Sequence, residues 1–139
     1  MNNDLIYLDT NIYIDYFEDR SDGLRPLGDF AFNLIKKALD CEYKIVCSSV
    51  IEDELLNTGH KDELQQLLIL LKAAHKVINV ELAKEDNENV SRLSGGKNVA
   101  DAKHAILAQK MKVQFFVTRN WKHFQDFSDV INLCHPENL

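Results

Sequence analysis

DLIYLDTNIYIDYF, residues 4–17, decides how this chain is read. Its first five residues form a short apolar run rich in strand-forming side chains, and the run stops at Asp9. Two small polar residues follow, and apolar residues then resume at helical spacing. A strand feeding directly into a helix opens a β-α-β unit, so Asp9 stands at the strand's carboxyl end. There it either caps the helix, as Asp, Asn and Thr commonly do, or presents a carboxylate for chemistry.

Working outward, YKIVCS (43–48), VQFFV (113–117) and VINL (130–133) also read as strands, while VINV (77–80) fits either a short strand or a connector. Between them, helical spacing predicts helices over 10–19, 26–40, 49–57, 61–75, 82–92 and 99–111. Pro26 suits a first helical turn, and SGGKN (94–98) breaks the chain before the last long helix. Strands alternating with helices make an α/β protein. Runs as apolar as KIVC and QFFV suit strands covered on both faces. The expected architecture is a three-layer α/β/α sandwich around a central parallel sheet, formed as one domain over residues 1–139.

With 45% hydrophobic residues, 5 Gly and 2 Pro, the chain has ample material for a core and no mark of disorder. A net charge of −6 argues against broad attraction to nucleic acid or an anionic membrane. It does not exclude a nucleic-acid substrate, because a metal ion inverts the field inside an acidic cleft. Cys41, Cys47 and Cys134 form no metal-like pair and cannot all pair with one another, which fits a reducing compartment. No basic-flanked signal segment and no membrane-length apolar run is present, so a cytoplasmic location without membrane contact is expected. In DELQQLLILLKAAHK, Leu64, Leu67, Leu68 and Leu71 form a core stripe. Ile69 and Leu70 widen it, through either deeper burial or a protein–protein surface.

Ligands of open parallel sheets bind beyond the carboxyl ends of the strands. Asp9 stands there, as do the acids of SSVIEDEL (48–55) and the TRN of 118–120, while Asp101 lies in a first helical turn after the glycine break. Each has a plain structural explanation. Thr10 or Asn11 can cap the first helix, Asn98 with Asp101 has the spacing of a capping pair, and Asn120 can cap WKHFQDF. Together they mean more, because several carboxylates at one spot repel unless a cation neutralises them. Oxygen donors without a Cys/His set suit Mg²⁺ or Mn²⁺, and such an ion at a sheet edge suits phosphodiester chemistry. No glycine-rich phosphate loop, nucleophile elbow or dinucleotide fingerprint competes. His104, one turn beyond Asp101, fits either a substrate contact or a surface histidine.

These motifs, taken in order, resemble the PIN domain family of metal-dependent nucleases, which includes VapC-type toxins of bacterial toxin–antitoxin pairs. Asp9-Thr10-Asn11, SSVIEDEL, VADAKHAILA and VTRNWKHF match the family's four motifs along nearly the whole chain. The resemblance implies that Asp9, Glu54 and Asp101 hold Mg²⁺ or Mn²⁺, with Glu54 selected from its acidic trio because it precedes Leu55. Asn120 joins these acids as a catalytic position, and Asn11 and Thr118 orient ligands, water or phosphate. Arg119, Lys97, Lys103 and Lys122 flank the motifs as phosphate contacts or as plain solvated charges. The implied function is an endoribonuclease toxin with an RNA substrate, a homodimeric state and an antitoxin partner. Two departures stand out: Asn120 occupies a place where many members carry Asp, and His123 replaces a later acid. They favour one metal over two, and they keep in view a catalytically weak module that binds RNA or protein. Asp15 falls outside the match and reads as a polar position on the helix.

Overall fold

A computed structural model describes residues 4–139. Five parallel strands, β1 (Asp4–Leu8), β2 (Tyr43–Ser48), β3 (Val77–Val80), β4 (Phe115–Val117) and β5 (Leu133–Cys134), form one sheet in the order β3-β2-β1-β4-β5. The helices are α1 (Thr10–Glu18), α2 (Leu27–Leu39), α3 (Ser49–Asn57), α4 (Lys61–Ala73), α5 (Asp86–Ser94), α6 (Val99–Lys110) and the short α7 (Trp121–Phe124). The expected α/β/α sandwich with an all-parallel sheet is what the chain adopts.

Burial explains why these runs become strands. Ile6, Tyr7, Leu8, Ile45, Val46, Phe116 and Val117 are all fully buried, so neighbouring positions on opposite faces of the sheet are both covered. VINV is a strand, paired with β2 from Val77 to Val80. β4 and β5 are shorter than their apolar runs, because Val113 and Gln114 precede the pairing and β5 begins only at Leu133. Pro26 lies just before α2, at its cap position, rather than inside the first turn.

The order of strands determines where the site sits. From β1 the chain steps outward through β2 and β3, then returns to the other side of β1 with β4. The crevice between the carboxyl ends of β1 and β4 is thus a topological switch point, the usual ligand position in such sheets.

On α4, Leu64, Leu67, Leu68 and Leu71 are buried, whereas Ile69 and Leu70 are 68% and 57% exposed. The wide apolar arc is therefore not deep burial but surface. Among the described residues no helix is long and apolar enough to cross a membrane.

The segment between α1 and α2 folds tightly back on itself. Asp19 ends α1 in the left-handed conformation at φ 49°, and the Gly28 amide donates to the Arg20 carbonyl at 2.9 Å. A Cβ on Gly28 would stand 2.3 Å from Asp19 Oδ1 and 2.7 Å from Asp19 Cα. Backbone cannot yield as a side-chain tip can, so Gly28→Ala should destabilise the fold by about 1–3 kcal/mol, the range for overpacking. A urea unfolding midpoint equal to wild type would contradict this.

Candidate functional site

Asp9 extends β1's pairing: its amide donates to the Val117 carbonyl of β4 at 2.9 Å. Its side chain is the cap of α1, with Oδ1 accepting from the Thr10 amide at 2.8 Å. Thr10 is the first helical residue and not the cap, so the expected division of labour is reversed. Oδ2 accepts from Asn11 Nδ2 and from Thr118 Oγ1, each at 2.9 Å. The carboxylate thus ties the two strands at the switch point while capping the helix between them. Burial still pushes its pKa up, despite the nearby His104 and these donors, and Glu54's charge pushes in the same direction.

Glu54 comes from the second turn of α3, whose start is fixed by Ser48 Oγ accepting from the Ile51 amide at 3.1 Å. Its neighbours Glu52 and Asp53 are exposed. Glu54 alone of the trio reaches inward, accepting from Thr10 Oγ1 at 2.5 Å and from His104 Nε2 at 2.9 and 3.1 Å on its two oxygens. Burial raises its pKa, but the hydrogen bonds from His104 and Thr10, with Lys103's charge, outweigh that and hold it below the usual carboxylate range.

Asp101 stands in the first turn of α6, half-buried, with Oδ2 3.8 Å from His123 Nδ1. The expected capping pair is absent: Asn98 is left-handed at φ 52° and its side chain makes no cap bond. Asp101's pKa is raised, first by burial and then by the charge of Asp9, with Glu54 adding to it. The three acids therefore lie within electrostatic reach of one another. This is the arrangement in which a cation relieves repulsion.

Thr118 is fully buried, and its hydroxyl, which donates to Asp9, also accepts from the Asn120 amide at 3.0 Å. Asn120 begins α7, but its side chain makes no cap bond. Lys103 and Glu54 line a common open pocket of about 320 Å³ walled by Val50, Leu82 and Ala100. Lys97 and Lys122 are exposed. A roomier depression of about 460 Å³ between α2 and the C-terminal turn contains none of the four motifs.

His104 and Asp15, and with Asp15 its partner Arg119, differ from their sequence reading. His104 is neither a surface group nor open to substrate: it is 1% exposed, with Nδ1 2.6 Å from the Tyr7 hydroxyl. Asp15 is likewise 1% exposed and accepts from Arg119 Nε at 2.7 Å, with Arg20 at 4.0 Å. Arg119, expected to contact phosphate, is thus engaged in an ion pair beneath the site. The sequence does carry signals for both. Asp15 lies one turn after the buried Ile12, and His104 shares the stripe of Leu107 and Ala108, so each polar side chain sits on a face that must pack. Tyr7, Ser48 and Thr10, which complete the contacts around His104 and Glu54, have no such signal, because only the fold brings them together.

The donor set fits a hard divalent ion. Asp9, Glu54 and Asp101 offer only oxygen, and Asn11 Oδ1, beside Asp9, is buried without a hydrogen-bond partner. Among the described residues no three acid, His or Cys side chains stand close enough to grip one ion at once, so a shared ion would require the carboxylates to close on it.

The family model of the PIN domain matches residues 6–130. Among solved structures, a crystal structure of VapBC2 from Rickettsia felis bound to a DNA fragment from their promoter is similar at 18% identity. The match covers 94% of this chain and 98% of that one, with a TM-score of 0.63. At such identity the likeness concerns the fold alone. No curated protein matches.

Proposed function

We propose, from the premise that the chain belongs to the PIN domain family, that it is a metal-dependent endoribonuclease hydrolysing RNA phosphodiester bonds. What supports this reading is that Thr10 joins two of the acids, its amide donating to Asp9 and its hydroxyl to Glu54, with Asp101 near enough for both charges to add to burial in pushing its pKa up. Mg²⁺ or Mn²⁺ held by these three side chains would activate water and offset the charge developing on the phosphate.

The chain's own residues prepare that edge. Asn11, Thr118 and the Thr10 amide fix the Asp9 carboxylate, while Thr10 and His104 fix Glu54. Asn120 sits within one residue of Arg119, whose Nε is committed to Asp15, so Asn120 is the open polar group of that turn. Lys103, beside Glu54 in the same pocket, is the best placed of the basic residues to meet a phosphate, with Lys97 and Lys122 more peripheral.

The biological setting that agrees best is the toxin of a type II toxin–antitoxin pair in the cytoplasm, in line with the fold shared with the VapBC2 complex. The partners would be an antitoxin protein and a second copy of the chain. Exposed Leu56, Ile69 and Leu70 on α3 and α4 give such contacts an apolar surface. A catalytically weak binding module is the second reading, favoured by Arg119's ion pair and by the neutral amide of Asn120. The two separate on a panel of structured and single-stranded RNAs incubated with Mn²⁺. The nuclease gives defined products that disappear with EDTA, and the absence of products at any divalent-ion concentration leaves only the binding module.

A further inference from the structure

The nuclease reading assigns Glu54 to the metal with His104 as one of its holds, but leaves open what fixes His104 itself. Glu54 projects from α3 with its side chain about one-third exposed (31%), and fixing so flexible a side chain costs about 1.5–2 kcal/mol of rotamer entropy. Behind it lies a continuous buried path. Ser48 Oγ is 2.7 Å from the Tyr7 hydroxyl, Tyr7 is 2.6 Å from His104 Nδ1, and His104 Nε2 reaches both Glu54 oxygens.

Donor and acceptor roles along this path are constrained. Ser48 Oγ already accepts from the Ile51 amide, so its own proton is free to donate to Tyr7. An ionised Glu54 can only accept, which places a proton on His104 Nε2. In the Nε2–H tautomer, Nδ1 then accepts from Tyr7. The order Ile51 N–H to Ser48, Ser48 to Tyr7, Tyr7 to His104 and His104 to Glu54 gives every one of these polar protons an acceptor. Reversing the Tyr7 link would leave the Ser48 proton without its partner in the path, a costly outcome at a fully buried residue. Tyr7 is itself immobile, stacked on Phe116 with ring centroids 5.1 Å apart at 9°.

We propose that His104 is a positioning residue: Tyr7 fixes its ring as the Nε2–H tautomer, and the ring in turn holds the Glu54 carboxylate at the sheet edge, ready for the carboxylates to close on an ion. This rests on the reading of Asp9, Glu54 and Asp101 as a divalent-cation site. Thr10 supplies the other hold on Glu54, so the acid is gripped from α1 and α6 at once. The arrangement parallels the way carboxylate and carbonyl partners orient metal-ligating side chains, whose loss commonly weakens metal affinity about 10–100-fold.

Two measurements on wild type, Tyr7→Phe, His104→Gln and His104→Leu test this. The first is ¹⁵N NMR of the His104 ring in metal-free protein. A single Nε2–H tautomer is expected in wild type, giving way to a tautomer mixture in Tyr7→Phe, which keeps the stack on Phe116 and loses only the hydroxyl. The second is Mn²⁺ affinity by calorimetry on samples shown to be folded by circular dichroism. Affinity should fall about tenfold or more in Tyr7→Phe and His104→Leu, and recover in part in His104→Gln, whose amide N–H can replace the Nε2 donor.

A wild-type ring protonated at Nδ1 overturns the proposal. So does wild-type-like Mn²⁺ affinity in folded His104→Leu, which would leave His104 as a core histidine only. If wild type binds no Mn²⁺, this proposal and the cation site fall together. If it binds Mn²⁺ with the expected variant pattern yet cuts no RNA, the nuclease reading fails and the positioning role stands.

Discussion

Asp15→Ala lowers the free energy of unfolding by about 3 kcal/mol, the low end of the range for breaking a buried ion pair. The Asp15 side chain is 2% exposed, and its partner Arg119 retains 24%, enough to recover part of its hydration once the carboxylate is gone. Complete burial of the abandoned guanidinium would take the loss toward the upper end, about 5 kcal/mol. Asp15 Oδ1 has no hydrogen-bond partner, and Arg20 approaches it only to 4.0 Å, so Arg119 is the main contributor. The damage should also reach the candidate site. Arg119 follows Thr118, whose hydroxyl holds Asp9, and freeing it loosens that turn. A urea midpoint within error of wild type would mean that the pair is not formed in solution. Arg119→Ala provides the second arm of a double-mutant cycle that isolates the pair itself.

The second large effect separates function from stability. On the proposed nuclease reading, Asp101→Asn should reduce metal-dependent RNA cleavage by about 10³-fold, because a weaker hold on the metal would remove several kcal/mol of transition-state stabilisation at 1.36 kcal/mol per tenfold. The metal-free variant should nevertheless be no less stable than wild type. Asp101's pKa is raised in the folded protein by burial and by the charges of Asp9 and Glu54. A raised carboxylate contributes stability that is fully present below its unfolded pKa and is lost as pH rises through its folded pKa. At neutral pH that contribution is gone, and asparagine removes the repulsion that replaced it. Stability measured in EDTA across the acid range should thus fall less on going to neutral pH in Asp101→Asn than in wild type. An unchanged slope, or cleavage within tenfold of wild type, contradicts this account. Asp9→Asn is a poorer probe, because its new amide nitrogen would face two donors, Asn11 Nδ2 and Thr118 Oγ1, if it took the place of Oδ2.

The sheet is legible in the sequence through burial. Strands buried on both faces must be nearly continuous in apolar residues, so β1 and β2 were visible, whereas β5 pairs only two residues and barely rises above a loop. Asp9 and Asp101 are legible because strand ends and first helical turns are where side chains converge, whereas Glu54, in the second turn of α3, is singled out of its trio only by the resemblance to the PIN domain family. The contacts that orient these acids are not legible. Tyr7 looks like any core aromatic until the fold places it between Ser48 and His104, and the packing face that carries Asp15 gives no hint that its partner is Arg119, from beyond β4. Long-range polar pairing leaves no local trace, whereas apolar periodicity does.

The hydrogen bond from Thr118 to Asp9 joins residues 109 positions apart. In time rather than space, it links two parts of the chain that are made far apart during synthesis. Until β4 is synthesised, β1 has β2 on one side and an open edge on the other, and Asp9 lacks both the Val117 carbonyl and the Thr118 hydroxyl. A chain still emerging from the ribosome thus carries Asp9 with its local donors, Thr10 and Asn11, but without the two partners from β4 and the turn after it. The candidate site is therefore complete only after Thr118 has been made.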